Sequence, residues 1–426
     1  MSRVDRAQGA RAVGGMALPD VLAALRRVQP DARAFYVYDL GLVVSRARRF
    51  QQAVAPLAPR IAYALKANAL PTLLEPLARM GLSADAASLG ELAIAEQAGF
   101  DASHRILNGN GKTPEELEWA VRHGVWSLNA DHVAELDVLE RIAAAHDRRV
   151  RVALRVNPGI ETPGHRYVAT GDDEAKFGVA PEEALAAWTS AARWPHLEVD
   201  GLHLHVGSQL LEPSPIERAV DAALALREEA ARRGAPLRLI NLGGGFGIDY
   251  EGQREFPLER FGETVTARLR GAGLDLAFEP GRWLVATAGV LVAEVLWIKE
   301  RDGRRFVVLA AGMNDFLRPA LYGARHRIVA VAPRPGAPTP ATVVGPVCES
   351  ADVFDPSVVL PPLEPGDLLA ILDAGAYGAS MSSHYNGRAR LPELVVDGSD
   401  LVLARPGRSA WDPDLAPVPL SLEETS

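Results

Sequence analysis

From Ile61 onward the sequence settles into a rhythm that few folds can accept: short apolar, strand-like runs alternate with stretches of helical spacing. Eight such runs can be counted: Ile61–Asn68, Leu82–Ser88, Arg105–Asn110, Val125–Ala130, Arg151–Asn157, Gly201–Gly207, Leu237–Gly243 and Leu274–Glu279. The pieces between them carry helix punctuation. In Thr113-Pro114-Glu115-Glu116, threonine stands at the N-cap, proline at the first helical position and glutamate where a capping box needs it, and Gly124 stops the helix. Strands alternating with helices imply parallel β-α-β units. Eight of them close into a (β/α)8 barrel, whose usual size this span fits. An open doubly wound sheet would want GxGxxG after its first strand. The glycine cluster here, Gly243-Gly244-Gly245-Phe246-Gly247, has another spacing and comes late. The barrel is the expected architecture.

Beyond Val285 the rhythm changes. Val290–Ile298, Arg305–Leu309, Arg327–Val331, Thr342–Val347, Leu368–Leu372 and Leu394–Leu403 read as strands separated by turn residues without comparable helices, and Pro333–Pro340 as a surface loop. Ala34–Tyr38, alternating and aromatic, reads as a strand of the same β domain. The expected division is an N-terminal lead over 1–33 with a weak helix near Asp20–Val28, a joining strand over 34–44, a barrel over 45–285 and a C-terminal β domain over 286–426.

The net charge of -9 argues against nucleic acid or an anionic membrane as partner. Met1–Gly15 has charges and no apolar core, so no secretory signal is expected. Trp283–Ile298, the most apolar run, is short for a membrane span and contains Glu294, so it is expected in the core. One cysteine, Cys348, cannot form an intrachain disulfide, and no metal site is expected. The expected compartment is the cytoplasm.

Barrels of this kind carry their active sites at the C-terminal ends of the strands. Those ends hold Lys66 and Asn68, Asp85 and Ser88, Asn108 and Asn110, Asn129, Arg155 and Asn157, His203, His205 and Ser208, Asn241 with Gly243–Gly245, and Glu279 with Arg282. Nearly all are polar. Lys66 at the end of a buried strand is read as an amine held in a cleft, desolvated toward neutrality and able to form a Schiff base. Gly243–Gly245 follow the seventh strand, a recurrent phosphate position in such barrels. A lysine opposite a phosphate site, with a carboxylate close by, suggests pyridoxal phosphate. Glu279 would keep its pyridine nitrogen protonated, and His205 would lie against the ring.

Six motifs in order extend this reading. Tyr63-Ala64-Leu65-Lys66-Ala67-Asn68, His203-Leu204-His205-Val206-Gly207-Ser208-Gln209, the Gly243–Gly247 cluster, Glu279-Pro280-Gly281-Arg282, Val347-Cys348-Glu349-Ser350 and Asp373-Ala374-Gly375-Ala376-Tyr377-Gly378 together resemble the fold-type III pyridoxal-phosphate-dependent decarboxylases. The resemblance spans about Ala34 to Leu403 and is closest to the members that decarboxylate meso-2,6-diaminopimelate to L-lysine. It implies an alanine-racemase-like barrel with a β domain, and a homodimer with shared active sites. Lys66, Asp85, His205, Ser208, Gly243, Gly244, Gly245, Glu279, Gly281, Arg282 and Tyr377 are the implied cofactor contacts. Arg282, Arg318, Tyr322, Glu349 and Tyr377 are the implied substrate contacts, with Cys348 as proton donor. Cys348 and Glu349 are expected to reach the neighbouring subunit's site.

The residue types suit that chemistry. A thiol can protonate Cα with little bulk, and arginines suit a substrate whose far end carries a second carboxylate. Gly164-His165-Arg166-Tyr167 departs from the family pattern, whereas Thr170-Gly171 and Lys176-Phe177-Gly178 fit it. Two other readings compete: a paralogue acting on another carboxylated or carrier-bound amino acid, and a non-catalytic cofactor binder. Retention of Lys66 and Cys348 weighs against the second.

Overall fold

The structure, a computed structural model, describes residues 11–160 and 176–408, so Gly164–Tyr167 and Thr170–Gly171 lie outside the described residues. Two short strands, β1 (Ala12–Val13) and β2 (Met16–Ala17), lead into a helix over Leu18–Arg26 and then into β3 (Ala34–Asp39). The barrel follows: β4 (Arg60–Ala64), β5 (Ser83–Ala86), β6 (Arg105–Leu107), β7 (Ser127–Ala130), β8 (Val150–Arg155), β9 (Leu197–His203), β10 (Leu239–Asn241) and β11 (Asp275–Phe278). These eight strands form a closed barrel in sequence order, with β11 returning to β4 through the Ala277–Arg60 and Phe278–Ile61 pairs. All pairings around the ring are parallel. The expected barrel is therefore the observed one.

The helices begin and end where their sequence directs. Thr113 Oγ1 accepts the Glu116 N–H while Glu116 Oε2 accepts the Thr113 N–H, and Gly124 closes the helix at φ +82°. This reciprocal cap satisfies donors that the first turn leaves without partners. The observed strands are shorter than the apolar runs, because several runs extend past the last ladder pair. Leu65–Ala67 is a single 3₁₀ turn after β4, so Lys66 sits on that turn rather than within the strand. Asn108 and Asn110 likewise follow the end of β6.

A second sheet receives the chain on leaving the barrel. Its strands are β12 (Gly289–Arg301), β13 (Arg304–Leu309), β14 (Ile328–Ala330), β15 (Thr339–Val344), β16 (Val353–Leu360), β17 (Leu368–Ile371), β18 (Glu393–Asp397) and β19 (Asp400–Arg405). β3 lies between β12 and β18, so the strand before the barrel and the first strand after it are neighbours, with Gly289 opposite Tyr38. The helix Leu18–Arg26 covers this sheet, burying Leu18, Val21, Leu22 and Leu25 against Phe35, Val37, Val290 and Val292. The run expected in the core, Trp283–Ile298, is buried only as far as Val295, apart from the half-buried Thr287. Leu296 and Ile298 are half-buried and Trp297 is 68% exposed, because the end of β12 leaves the core in its hairpin with β13.

Two details depart from the sequence reading. Leu394–Leu403 is a hairpin and not one strand: Asp397 pairs with Asp400 across Gly398 and Ser399, with Gly398 at φ +59°. β16 had no counterpart, because Asp355-Pro356-Ser357 interrupts its apolar pattern. Proline is tolerated there because β16 is the outermost strand, where a missing donor breaks no ladder. Among the described residues, no helix is long and apolar enough to cross a membrane.

Candidate active site

The C-terminal ends of the barrel strands open into a cleft of about 320 Å³ that reaches the second sheet. Lys66, His205, Ser208, Gly245, Glu279, Gly281, Arg282, Arg318, Tyr322 and Tyr377 all line it. Ten of the expected residues thus converge from six separate segments. For the seven barrel residues the parallel register is the cause, because it brings every strand's C-terminal end to one face; Arg318, Tyr322 and Tyr377 come from connections of the second sheet.

Glu279 anchors the floor. Its Oε1 accepts from three amides, Asn241 Nδ2 at 2.6 Å, Asn108 Nδ2 at 2.9 Å and Asn129 Nδ2 at 3.2 Å. His203 Nε2 lies 3.3 Å from Oε2 without hydrogen-bond geometry. Burial alone would raise the carboxyl's proton affinity. His203, Lys66 and the amide donors outweigh it and hold Glu279 below the ordinary carboxylate range. The result is a buried anion with one oxygen saturated and the other open to a donor.

Lys66 differs from its sequence reading in charge state. Its Nζ lies 3.5 Å from Asp85 Oδ2, and Asp85 Oδ1 accepts from Asn108 Nδ2 at 2.5 Å. An amine desolvated toward neutrality is therefore not what the protein holds. The Asp85 carboxylate raises the Lys66 proton affinity by more than burial lowers it. The physical reason is the open cleft: 44% of the Lys66 side chain is solvent-accessible, whereas Asp85 is 1% accessible. Burial and the nearby Glu279 push Asp85 itself upward, opposed by Lys66. Asp85 stands beneath the amine rather than on the cleft wall. Lys66, Asp85, Asn108 and Glu279 form one connected polar chain.

His205 Nδ1 accepts the Gly244 N–H at 3.1 Å, which requires that nitrogen to be unprotonated. Burial first, and then Lys66 and Arg155, lower the His205 proton affinity well below its usual value, so the ring is neutral. The glycine cluster meets a stricter demand than expected. A Cβ at Gly243 would collide with the Leu204 carbonyl, one at Gly244 with the Glu279 carbonyl, and one at Gly245 would sit 2.6 Å from the Gly207 oxygen. The N–H groups of Gly243 and Gly244 are spent on Asn241 Oδ1 and His205. Of the three glycines, only Gly245 faces the cleft, and its N–H has no partner among the described residues.

On the opposite wall, Arg282 donates to Tyr250 Oη at 2.8 Å and to Ser208 Oγ at 2.9 Å, and lies 4.7 Å from the centre of the Tyr377 ring. Its Nε is buried and lacks a hydrogen-bond partner among the described residues. Tyr377 holds φ at +56°, a left-handed conformation that costs a non-glycine residue about 1–2 kcal/mol, and its N–H is tied to the Ala67 carbonyl at 2.8 Å. Arg318 stands over Tyr250 at 4.7 Å and Tyr322 at 5.9 Å.

Cys348 and Glu349 do not line this cleft. They lie on an exposed loop of the second sheet, where the Cys348 N–H donates to Asn386 Oδ1 at 2.8 Å and Glu349 Oε1 accepts from Tyr385 Oη at 2.8 Å. Conversely, the sequence marks Asn108, Asn129, Asn241 and His203 only as polar strand ends, without a role. Tyr250 and His326 carry no signal in the sequence, since each belongs to a loop outside the strand ends and is brought to the site by tertiary packing.

The donor set fits pyridoxal phosphate: an amine and a buried anion share one cleft, and a glycine N–H without a partner among the described residues, an arginine and a serine line it as well. Residues 40–286 match the family model of the pyridoxal-dependent decarboxylases, pyridoxal binding domain. The chain is 38% identical over 383 residues to the diaminopimelate decarboxylase of Zymomonas mobilis, covering 88% of this chain and 90% of that one. With the diaminopimelate decarboxylase of Neisseria meningitidis serogroup A it shares 40% identity over 370 residues, 87% and 91% of the two chains. The crystal structure of diaminopimelate decarboxylase from Helicobacter pylori complexed with L-lysine superimposes with a TM-score of 0.86 at 37% identity, over 90% of this chain and 96% of that one. Barrel, cleft and comparisons agree, and the chain belongs to the diaminopimelate decarboxylase family of pyridoxal-dependent decarboxylases.

Proposed function

We infer that the protein decarboxylates meso-2,6-diaminopimelate to L-lysine and carbon dioxide with pyridoxal phosphate as cofactor. The observation that carries this reading is the meeting, in one cleft, of an amine, a buried anion and an arginine with an open fork: Lys66, Glu279 and Arg318. The names of the relatives and the lysine complex of the Helicobacter pylori protein support the substrate. Pyridoxal phosphate, when bound, supplies a conjugated ring that takes up the electron pair left by the departing carboxyl group.

The chain's own residues divide the remaining work. Lys66 would hold the cofactor covalently, and Asp85, whose proton affinity burial raises, is placed to take the proton that Lys66 must lose. Glu279 Oε2 would accept a hydrogen bond from the ring N–H and so keep that nitrogen protonated. The neutral His205 would lie against the ring. Ser208, the Gly245 N–H and Gly281 with Arg282 would hold the phosphate side, while Gly243 and Gly244 shape the turn that presents Gly245. Arg318, Tyr322 and Tyr377 receive the substrate's far end. Cys348 and Glu349 of the partner subunit complete the site, the thiol delivering the proton to Cα. Their exposure and their absence from the cleft of their own chain support a homodimer of shared sites. Domain limits near residues 44 and 286 go with this reading, supported by the 40–286 span of the family model.

The test is carbon dioxide release from meso-diaminopimelate by the reconstituted protein, with L-lysine identified as product. Borohydride reduction should attach the cofactor to Lys66. No carbon dioxide, or attachment at another lysine, refutes the reading.

A further inference from the structure

We infer that His326 is a positioning residue for substrate selection: by accepting the Nε–H of Arg318 it turns the two Nη groups of that guanidinium toward the substrate's far carboxylate. The inference rests on the reading of Arg318 as the group that binds that carboxylate.

His326 is 4% accessible and does not line the cleft, so it touches no substrate. Its Nδ1 lies 2.9 Å from the Leu372 carbonyl. A carbonyl can only accept, so Nδ1 carries the proton and Nε2 a lone pair. Arg318 Nε lies 3.2 Å from that Nε2 and donates to it. The ring cannot turn away, because Tyr250 packs on it at 4.4 Å and Phe316 meets it edge-on at 4.7 Å. Burial, helped by the positive charge of Arg318, drops the His326 pKa to about 3, so the acceptor persists at neutral pH.

The consequence falls on Arg318. With Nε engaged and the Tyr250 ring beneath the guanidinium, rotation about Cδ–Nε is blocked. Neither Nη has a hydrogen-bond partner among the described residues, and the side chain lines the cleft. A guanidinium held in this way meets a carboxylate end-on through two parallel N–H bonds. Arg282 differs, since both its Nη groups are engaged by Tyr250 and Ser208. Of the two arginines, the one that His326 orients is the one left open for a second carboxylate.

The test compares two substitutions that keep different halves of the imidazole. His326→Asn retains a donor near Nδ1 for the Leu372 carbonyl and removes the acceptor. His326→Gln places a carbonyl oxygen where Nε2 stood. In the holoenzyme, His326→Asn should raise the KM for meso-diaminopimelate about tenfold, the worth of one hydrogen bond to a charged group, with kcat changed less than threefold. Binding of pimelate, a dicarboxylate probe followed by calorimetry, should weaken by a similar factor, and His326→Gln should recover most of both. Should His326→Asn fail to fold, His326→Met, which fills the ring's volume without an acceptor, is read in the same way. Equal behaviour of the acceptor-lacking variant and His326→Gln, or pimelate binding unchanged without the acceptor, overturns the inference while the activity of the wild type stands. A wild-type protein inert toward diaminopimelate overturns the functional reading and this inference together.

Discussion

Glu279→Gln is the substitution that isolates charge from shape. The two side chains are isosteric, so the fold and the cleft should survive. Three amide groups, from Asn241, Asn108 and Asn129, donate to Oε1 at 2.6, 2.9 and 3.2 Å. They force the glutamine carbonyl into the Oε1 position, because the flipped rotamer would set one NH₂ against three others. The glutamine Nε2 must then occupy the place of Oε2, and the group offered to the ring nitrogen changes from an anionic acceptor to a neutral donor. The pyridine can no longer be held protonated, and the carbanion left by decarboxylation loses its electron sink. Loss of one preorganised electrostatic interaction costs about 3 kcal/mol or more, 100-fold or more in rate. The expected result is a normal cofactor content, measured by absorbance after denaturation, with kcat on meso-diaminopimelate reduced by about that factor. Near-normal turnover would show that another carboxylate serves the ring and that the amide cluster around Glu279 is structural.

Three other outcomes follow from the same geometry. Arg318→Met should raise the KM for meso-diaminopimelate on the order of 100-fold, the cost of leaving a carboxylate without its charged partner. It should leave the weak turnover of a substrate without the distal carboxylate nearly unchanged, and equal losses on both substrates refute a recognition role. Lys66→Ala and Cys348→Ala should each be nearly inactive as homodimers yet recover about a quarter of wild-type activity when unfolded and refolded together, since half the dimers then hold one intact site of two; isolated tagged heterodimers without activity would place Cys348 in its own chain's site. Finally, His326 has a folded pKa depressed to about 3, so its contribution to stability is complete above the unfolded value near 6.5 and is lost progressively as pH falls below it. About 2 kcal/mol of that loss falls between pH 6.5 and 5. Denaturant midpoints measured at pH 7 and pH 5 should therefore converge in His326→Gln relative to wild type, whereas parallel acid sensitivity would argue against a buried neutral ring.

The sequence by itself determined the barrel, because its evidence is local and repeated. Alternation of strand and helix signals, punctuated by caps such as Thr113–Glu116, permits few closures, and a parallel closure obliges every strand's C-terminal end to share one face. That single geometric consequence assembled Lys66, His205, Ser208, Gly245 and Glu279 before any distance was known. Local patterning failed where a strand lies at the sheet edge, as β16 with its proline does, or where a two-residue turn hides inside an apolar run, as at Gly398-Ser399.

Only the tertiary structure decided the electrostatics. The charge state of Lys66 depends on Asp85 at 3.5 Å and on an open cleft, neither of which composition reveals. Glu279 is held ionised by His203, Lys66 and three asparagines from separate strand ends, and the orientation of Arg318 by a histidine hydrogen-bonded to the carbonyl of Leu372. A residue type says which proton a group can carry. Whether it carries that proton is fixed by charges and dipoles within a few ångströms, and in a folded chain those come from segments far apart in sequence.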